Sequence, residues 1–124
     1  MIFYFAAKYR WRLVIKQIST KVEAQSSHTV VGRWLTGAHD GSSIADQTRW
    51  AREDLEDIDR ADCLVIFHLP VDEPEASAGR HIEHGYAIAK GKQIIIVGKS
   101  TSVFQYVSNT INYPSLDEFY KAIL

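Results

Sequence analysis

The sequence predicts one α/β domain with a flavodoxin-like, Rossmann-like core: a five-stranded parallel sheet in the order 2-1-3-4-5, with helices on both faces. Three observations predict it. Short runs of β-branched and aromatic residues alternate with segments whose apolar residues recur every three or four positions, the pattern of repeated strand–helix units. Two runs, residues 62–68 and 92–98, have continuously apolar centres, as strands buried on both faces do. The chain of 124 residues, 46% apolar and 23% charged, is enough for one core but not two, so residues 1–124 read as a single domain.

Residues 2–7, apolar and rich in aromatics, predict the first strand. Trp11, Val14, Ile15, Ile18 and Val22 predict a helix whose solvated face carries Arg12, Lys16 and Glu23. Residues 25–27 form a turn and residues 28–32 a second strand. Residues 33–43 then make a connection long enough to suggest a functional loop. Ile44, Thr48, Ala51, Leu55 and Ile58 place a helix over residues 43–60, and residues 62–68 form the central third strand, opened by Asp62 in a capping or turn role. After a polar loop, Ile82, Tyr86 and Ala89 are the expected apolar stripe of a helix that Gly91 ends. Residues 92–98 are the fourth strand, Val103, Phe104 and Val107 mark a short helix, and residues 110–113 are an edge strand. Ser115 with Glu118 three positions on forms a capping box for a last helix carrying Leu116, Phe119, Tyr120 and Ile123.

A net charge of −1 gives no electrostatic footprint for a nucleic acid polymer. The single cysteine, Cys63, lies in an apolar run and reads as a small buried hydrophobe, with no disulfide framework and no zinc knuckle. No stretch approaches the length of a membrane helix, and the first residues read as a strand rather than a secretory signal, so a cytoplasmic protein without membrane contact is expected.

Sheets of this order bind ligands beyond the carboxyl ends of their strands, where the order reverses between strands 1 and 3. That rule brings residues 4–10, 33–40 and 68–79 to one crevice, together with the start of the helix that carries Glu83. Glu83 falls in the first turns of its helix, where backbone N–H groups and the dipole favour an anion. An ionised carboxylate facing the crevice is the expectation, which suits a nucleophile.

The stretch Gly-Arg-His-Ile-Glu-His-Gly-Tyr-Ala-Ile-Ala-Lys-Gly-Lys, residues 79–92, resembles the signature of the nucleoside 2-deoxyribosyltransferase family, which includes related nucleoside 5′-monophosphate N-glycosidases. The resemblance extends over nearly the whole chain. It implies that Glu83 attacks the anomeric carbon of a nucleotide or nucleoside, that the Tyr4 hydroxyl holds Glu83, and that Asp54 positions substrate and assists proton transfer to the base. On composition alone, Tyr4 reads as a core aromatic and Asp54 as one of many solvated acids between residues 51 and 62.

Family members acting on free nucleosides carry aspartate six residues before the nucleophile. Here Ser77 stands there, as in the relatives that hydrolyse monophosphates. Its hydroxyl and the N–H groups of Ala78, Gly79 and Arg80 would bind a phosphate, with Arg10 and Lys8 adding charge-assisted bonds. Ser77 reads equally well as a helix cap. Trp34 is either a stacking platform for the base or a cover over the core edge. Ser102 falls where the family places a polar residue donated by a neighbouring subunit, which implies a homodimer or higher oligomer with shared active sites, although Gln105 stands where many relatives have histidine.

His81 and His84 share a helix but lack a third ligand, so no metal and no cofactor are expected. The expected partner is a small-molecule nucleotide or nucleoside, and the expected activity is that of a 5′-monophosphate N-glycosidase. A deoxyribosyltransferase is the alternative, and a non-catalytic nucleotide-binding module the more distant one.

Overall fold

The structure, a computed structural model, describes residues 1–37, 41–68, 79–99 and 102–124. Five strands, β1 (Ile2–Ala6), β2 (Thr29–Val31), β3 (Cys63–Phe67), β4 (Gln93–Val97) and β5 (Thr110–Tyr113), form one sheet in the order β2-β1-β3-β4-β5. Every pairing is parallel, with Tyr4 beside Val31 on one side and Leu64 on the other. The helices are α1 (Arg12–Gln25), α2 (Ile44–Arg60), α3 (Gly79–Ala89) and α4 (Leu116–Ile123), and single 3₁₀ turns occur at Tyr9–Trp11, Arg33–Thr36 and Val103–Tyr106.

The core follows the continuous apolar runs. Every residue of β3 is buried, as are Phe3 to Ala6 of β1 and Ile94 to Val97 of β4. Phe119 of α4 meets Phe67 edge-on at 5.7 Å between ring centres, and Phe67 meets Phe5 at 5.0 Å, the offset geometry aromatic quadrupoles prefer. Helix ends are set by local chemistry. Ser43 Oγ accepts the Asp46 N–H at 3.0 Å while Asp46 accepts the Ser43 N–H at 3.4 Å, and Ser115 Oγ accepts the Glu118 N–H at 3.2 Å. At the end of α3, Gly91 has a φ of +70°, and the N–H groups of Gly91 and Lys92 turn back to Ile88 and Ala87 at 3.0 Å each.

Three helix faces differ from the expected ones. In α1 the inward residues are Ile15, Ile18, Ser19 and Val22, while Val14 is exposed and Arg12 reaches across to the Leu35 carbonyl at 3.4 Å. In α2 only the C-terminal half is buried, through Asp57 and Ile58, whereas Ile44, Thr48 and Ala51 are exposed. A 17-residue helix spans about 25 Å and a five-residue strand about 17 Å, so the first turns of α2 overhang the sheet. In α3 the buried residues are Arg80, His84 and Ala87, while Ile82 is 65% exposed. The inward series of α3 runs through polar residues, which a hydrophobic stripe cannot reveal.

Candidate active site

β1 and β3 are neighbours at the centre of the sheet, and their C-terminal ends form the floor of a crevice. Tyr4 is 1% exposed, its ring packed in the core, and its hydroxyl emerges to donate a hydrogen bond to Glu83 Oε2 of α3. Tyr4 is therefore both a core aromatic and a partner of Glu83. The cavity above them, about 150 Å³, is lined by Tyr4, Ala7, Tyr9, Trp34, Asp54, Gly79, Arg80 and Glu83. An adjoining apolar lobe of about 170 Å³ is walled by Ala51, Leu55 and Ile82, and shares Asp54, Gly79 and Glu83 with the first. The middle of α2 thus makes one wall and exposed Ile82 another.

The two carboxyls have unusual proton affinities. Burial pushes Glu83 up to about 8, the charge of Asp54 adds to this, and the Tyr4 hydroxyl opposes it. Burial likewise pushes Asp54 up to about 7, helped by Asp57 and Glu53 and opposed by Arg33. The expectation of an ionised Glu83 is corrected here: Glu83 is the fifth residue of α3, and desolvation in the crevice outweighs the helix terminus. With both carboxyls shifted toward neutrality, the two can be in different protonation states at the same pH. Such a pair can supply a nucleophile and a proton donor together. The same burial raises the Tyr4 phenol well above its ordinary value, with Glu83 adding to it, so Tyr4 remains a donor.

Trp34 is 4% exposed and donates its indole N–H to the Phe5 carbonyl at 3.0 Å, so it covers the core edge and also walls the crevice. Tyr9 faces it, 6.4 Å between ring centres and half exposed. The crevice segment read from the sequence includes Tyr9 without singling it out; an aromatic in the turn after β1 is the available signal. Gly79 lies on the lining as expected. Arg80 also lines it, but its side chain is buried and tied to the end of β3, with Nη1 donating to the Phe67 carbonyl at 3.3 Å and lying 2.8 Å from His68 Nδ1.

Arg10 is exposed, its guanidinium 5.7 Å from the Trp11 ring centre, and is not among the described residues lining the cavity. Ser77 and Ala78 lie outside the described residues. Ser102 lines a separate crevice of about 680 Å³ with His81, His84, Gly85, Ile88, Phe104 and Val107, and caps its own turn by accepting the Phe104 N–H at 3.1 Å. One chain therefore does not bring Ser102 to Glu83. Among the described residues, no three His, Cys, Asp or Glu side chains gather as a metal site, and no helix is long and apolar enough to cross a membrane.

A family model described as nucleoside 2-deoxyribosyltransferase matches residues 3–115. Among solved structures, the chain is similar to the CMP N-glycosidase BcmB of Clostridium botulinum at 24% identity and a TM-score of 0.60, over 98% of this chain and 97% of that one. That likeness is one of fold. A 3-dehydroquinate dehydratase-like protein from Bifidobacterium longum gives 12% identity and a TM-score of 0.46, over 99% of this chain and 91% of that one. No curated protein matches the sequence.

Proposed function

The chain belongs to the nucleoside 2-deoxyribosyltransferase family, and from that premise we propose that it cleaves the N-glycosidic bond of a nucleotide or nucleoside through a covalent glycosyl–Glu83 intermediate. The observation that carries this reading is the Tyr4 hydroxyl bound to Glu83 in a crevice that also holds Asp54. In the first step a Glu83 carboxylate oxygen bonds to the anomeric carbon and the carbon–nitrogen bond breaks. The bonding pair leaves with the base, which takes the proton of Asp54. In the second step water attacks the same carbon, gives a proton back to Asp54, and releases Glu83 as a carboxylate. The Tyr4 hydroxyl bonds the carboxylate form more strongly than the ester, which favours release. A second base in place of water would make the same site a transferase.

A nucleoside 5′-monophosphate is the substrate class we favour. Ser77 replaces the aspartate of the nucleoside transferases, and the Arg80 cation lines the cavity beside Gly79. The fold shared with a CMP N-glycosidase accords with this. We also take the working form to be at least a homodimer acting in the cytoplasm. Ser102 sits in a crevice apart from Glu83, beside exposed Val103, Phe104 and Tyr106, where a second copy could reach it. The lone buried cysteine suits a reducing compartment.

The test is incubation with a panel of nucleosides and their 5′-monophosphates, following free base by chromatography, with acid-quenched samples weighed for a sugar adduct on the Glu83 peptide. Base release from a monophosphate with an adduct on Glu83 is expected. Release of no base from any member would overturn the reading in favour of a nucleotide-binding module. Base exchange that requires an added acceptor base would make it a transferase.

A further inference from the structure

Asp57 follows Asp54 by one turn of α2 and is 1% exposed. Its Oδ2 accepts the backbone N–H of Arg33 at 2.8 Å and the Arg33 Nε–H at 3.2 Å, and Arg33 Nη2 lies 3.0 Å from Oδ1. Arg60 approaches Oδ1 more loosely, at 3.5 Å. Arg33 further donates to the Glu53 carbonyl at 3.2 Å and to Glu56 at 2.9 Å, so one guanidinium spans the turns of α2 before and after Asp54.

A buried charge is costly, and an apolar residue would pack α2 as well. What the carboxylate adds is a fixed start for the Arg33–Thr36 turn, whose second residue is the crevice wall Trp34. Trp34 is pinned at its other end by the Phe5 carbonyl. Asp57 thereby joins the helix that supplies Asp54 to the turn that supplies Trp34. Among the described residues, the charged and titratable groups acting on Asp54 include Asp57 and Glu53 on its own helix, Arg33 from the turn, Glu83 from α3 and the Tyr4 hydroxyl from β1.

We propose that Asp57 and Arg33 are positioning residues for the cleavage described above, fixing Asp54 against the Trp34 wall and, as opposite charges close to it, governing the proton that Asp54 gives to the base. The functional half of this rests on Asp54 as the proton donor; the pair's geometry does not. Removing the negative member favours the ionised form of Asp54, because Arg33 is then unopposed. Removing the positive member favours the protonated form. A purely structural clamp would weaken folding in both variants and would not move Asp54 in opposite directions.

The experiment is a carboxyl-carbon NMR titration of the full chain without substrate, with the Asp54 signal identified by its loss in Asp54→Asn. Asp57→Asn should move the Asp54 titration down and Arg33→Gln should move it up, each by about one pH unit, with Arg33→Lys close to the parent. Arg33 is 39% exposed at its side chain, so Arg33→Gln carries the test even where Asp57→Asn fails to fold. An unmoved titration in Arg33→Gln, or shifts of the same sign in both variants, overturns the proposal. The limb of the pH–rate profile that Asp54→Asn removes should follow the same opposed shifts. Opposed titration shifts in a protein that releases no base would uphold the pair's hold on Asp54 and sink the glycosidase reading instead.

Discussion

Replacing Tyr4 with phenylalanine isolates one atom. The ring is 1% exposed and flanked by Phe3 and Phe5, so Tyr4→Phe keeps the packing and loses only the hydrogen bond to Glu83. A hydrogen bond to an ionised group contributes about 1.5–3 kcal/mol, equivalent to a rate loss of roughly 10- to 150-fold where the bond is made in the transition state. A second loss adds to it. The Tyr4 bond opposes the burial that pushes Glu83 up to about 8, so its removal raises Glu83 further. A carboxyl with a pKa of about 8 is roughly one-tenth ionised at pH 7, and each further unit costs about another tenfold.

The two losses separate by pH. The ionisation part of the deficit relative to the parent is recovered in alkaline buffer and the orientation part is not; Asp54, at about 7, loses its proton over the same range and lowers both rates alike. Initial rates of base release across roughly pH 6–10, set against thermal unfolding of both proteins, make the measurement. Tyr4→Phe should melt within a few degrees of the parent and show a deficit that narrows toward high pH without closing. Parental rates at every pH would mean that the hydroxyl is a core edge and nothing more.

Glu83→Gln should abolish base release while substrate binding, followed by calorimetry, largely survives; parental turnover would end the nucleophile assignment. The folded pKa of Glu83 lies above its ordinary value of 4.5, so its contribution to stability is fully present below about 4.5 and is lost as pH rises through about 8. Glu83→Gln should therefore gain melting temperature over the parent at pH 8 relative to pH 4, and an equal difference at both would contradict its burial. Monophosphates should exceed nucleosides by at least ~100-fold in catalytic efficiency if two or three charge-assisted bonds hold the phosphate, and Ser77→Asp should erode that preference. Equal efficiency on both would leave Ser77 as a helix cap. Sedimentation at micromolar concentration should show at least a homodimer, and a fully active monomer would refute the shared site.

The elements of this protein were legible because each is set by residues close together in the chain. Unbroken apolar runs marked β3 and β4, Gly91 marked the end of α3, and Ser115 marked the start of α4. The order β2-β1-β3-β4-β5 followed from those elements and from the rules of parallel connection, and it placed the crevice beyond β1 and β3. Tyr4, Asp54 and Glu83 were named from the resemblance to a known family, and the fold brings them into one cavity.

Tertiary structure alone decided the rest. The stripe of Ile82, Tyr86 and Ala89 was the hydrophobic choice for α3, yet Arg80 and His84 are buried, Arg80 because the end of β3 offers the Phe67 carbonyl and the His68 ring as partners. Among the acids of α2, nothing in the sequence distinguishes Asp57 from Asp59. One is buried against Arg33, 24 positions earlier, and the other is exposed beside Tyr86. The same holds for the protonation of Glu83. Its helix position argues for an anion, but its proton affinity is set by the low-dielectric surroundings that β1, α2 and α3 create only when they meet.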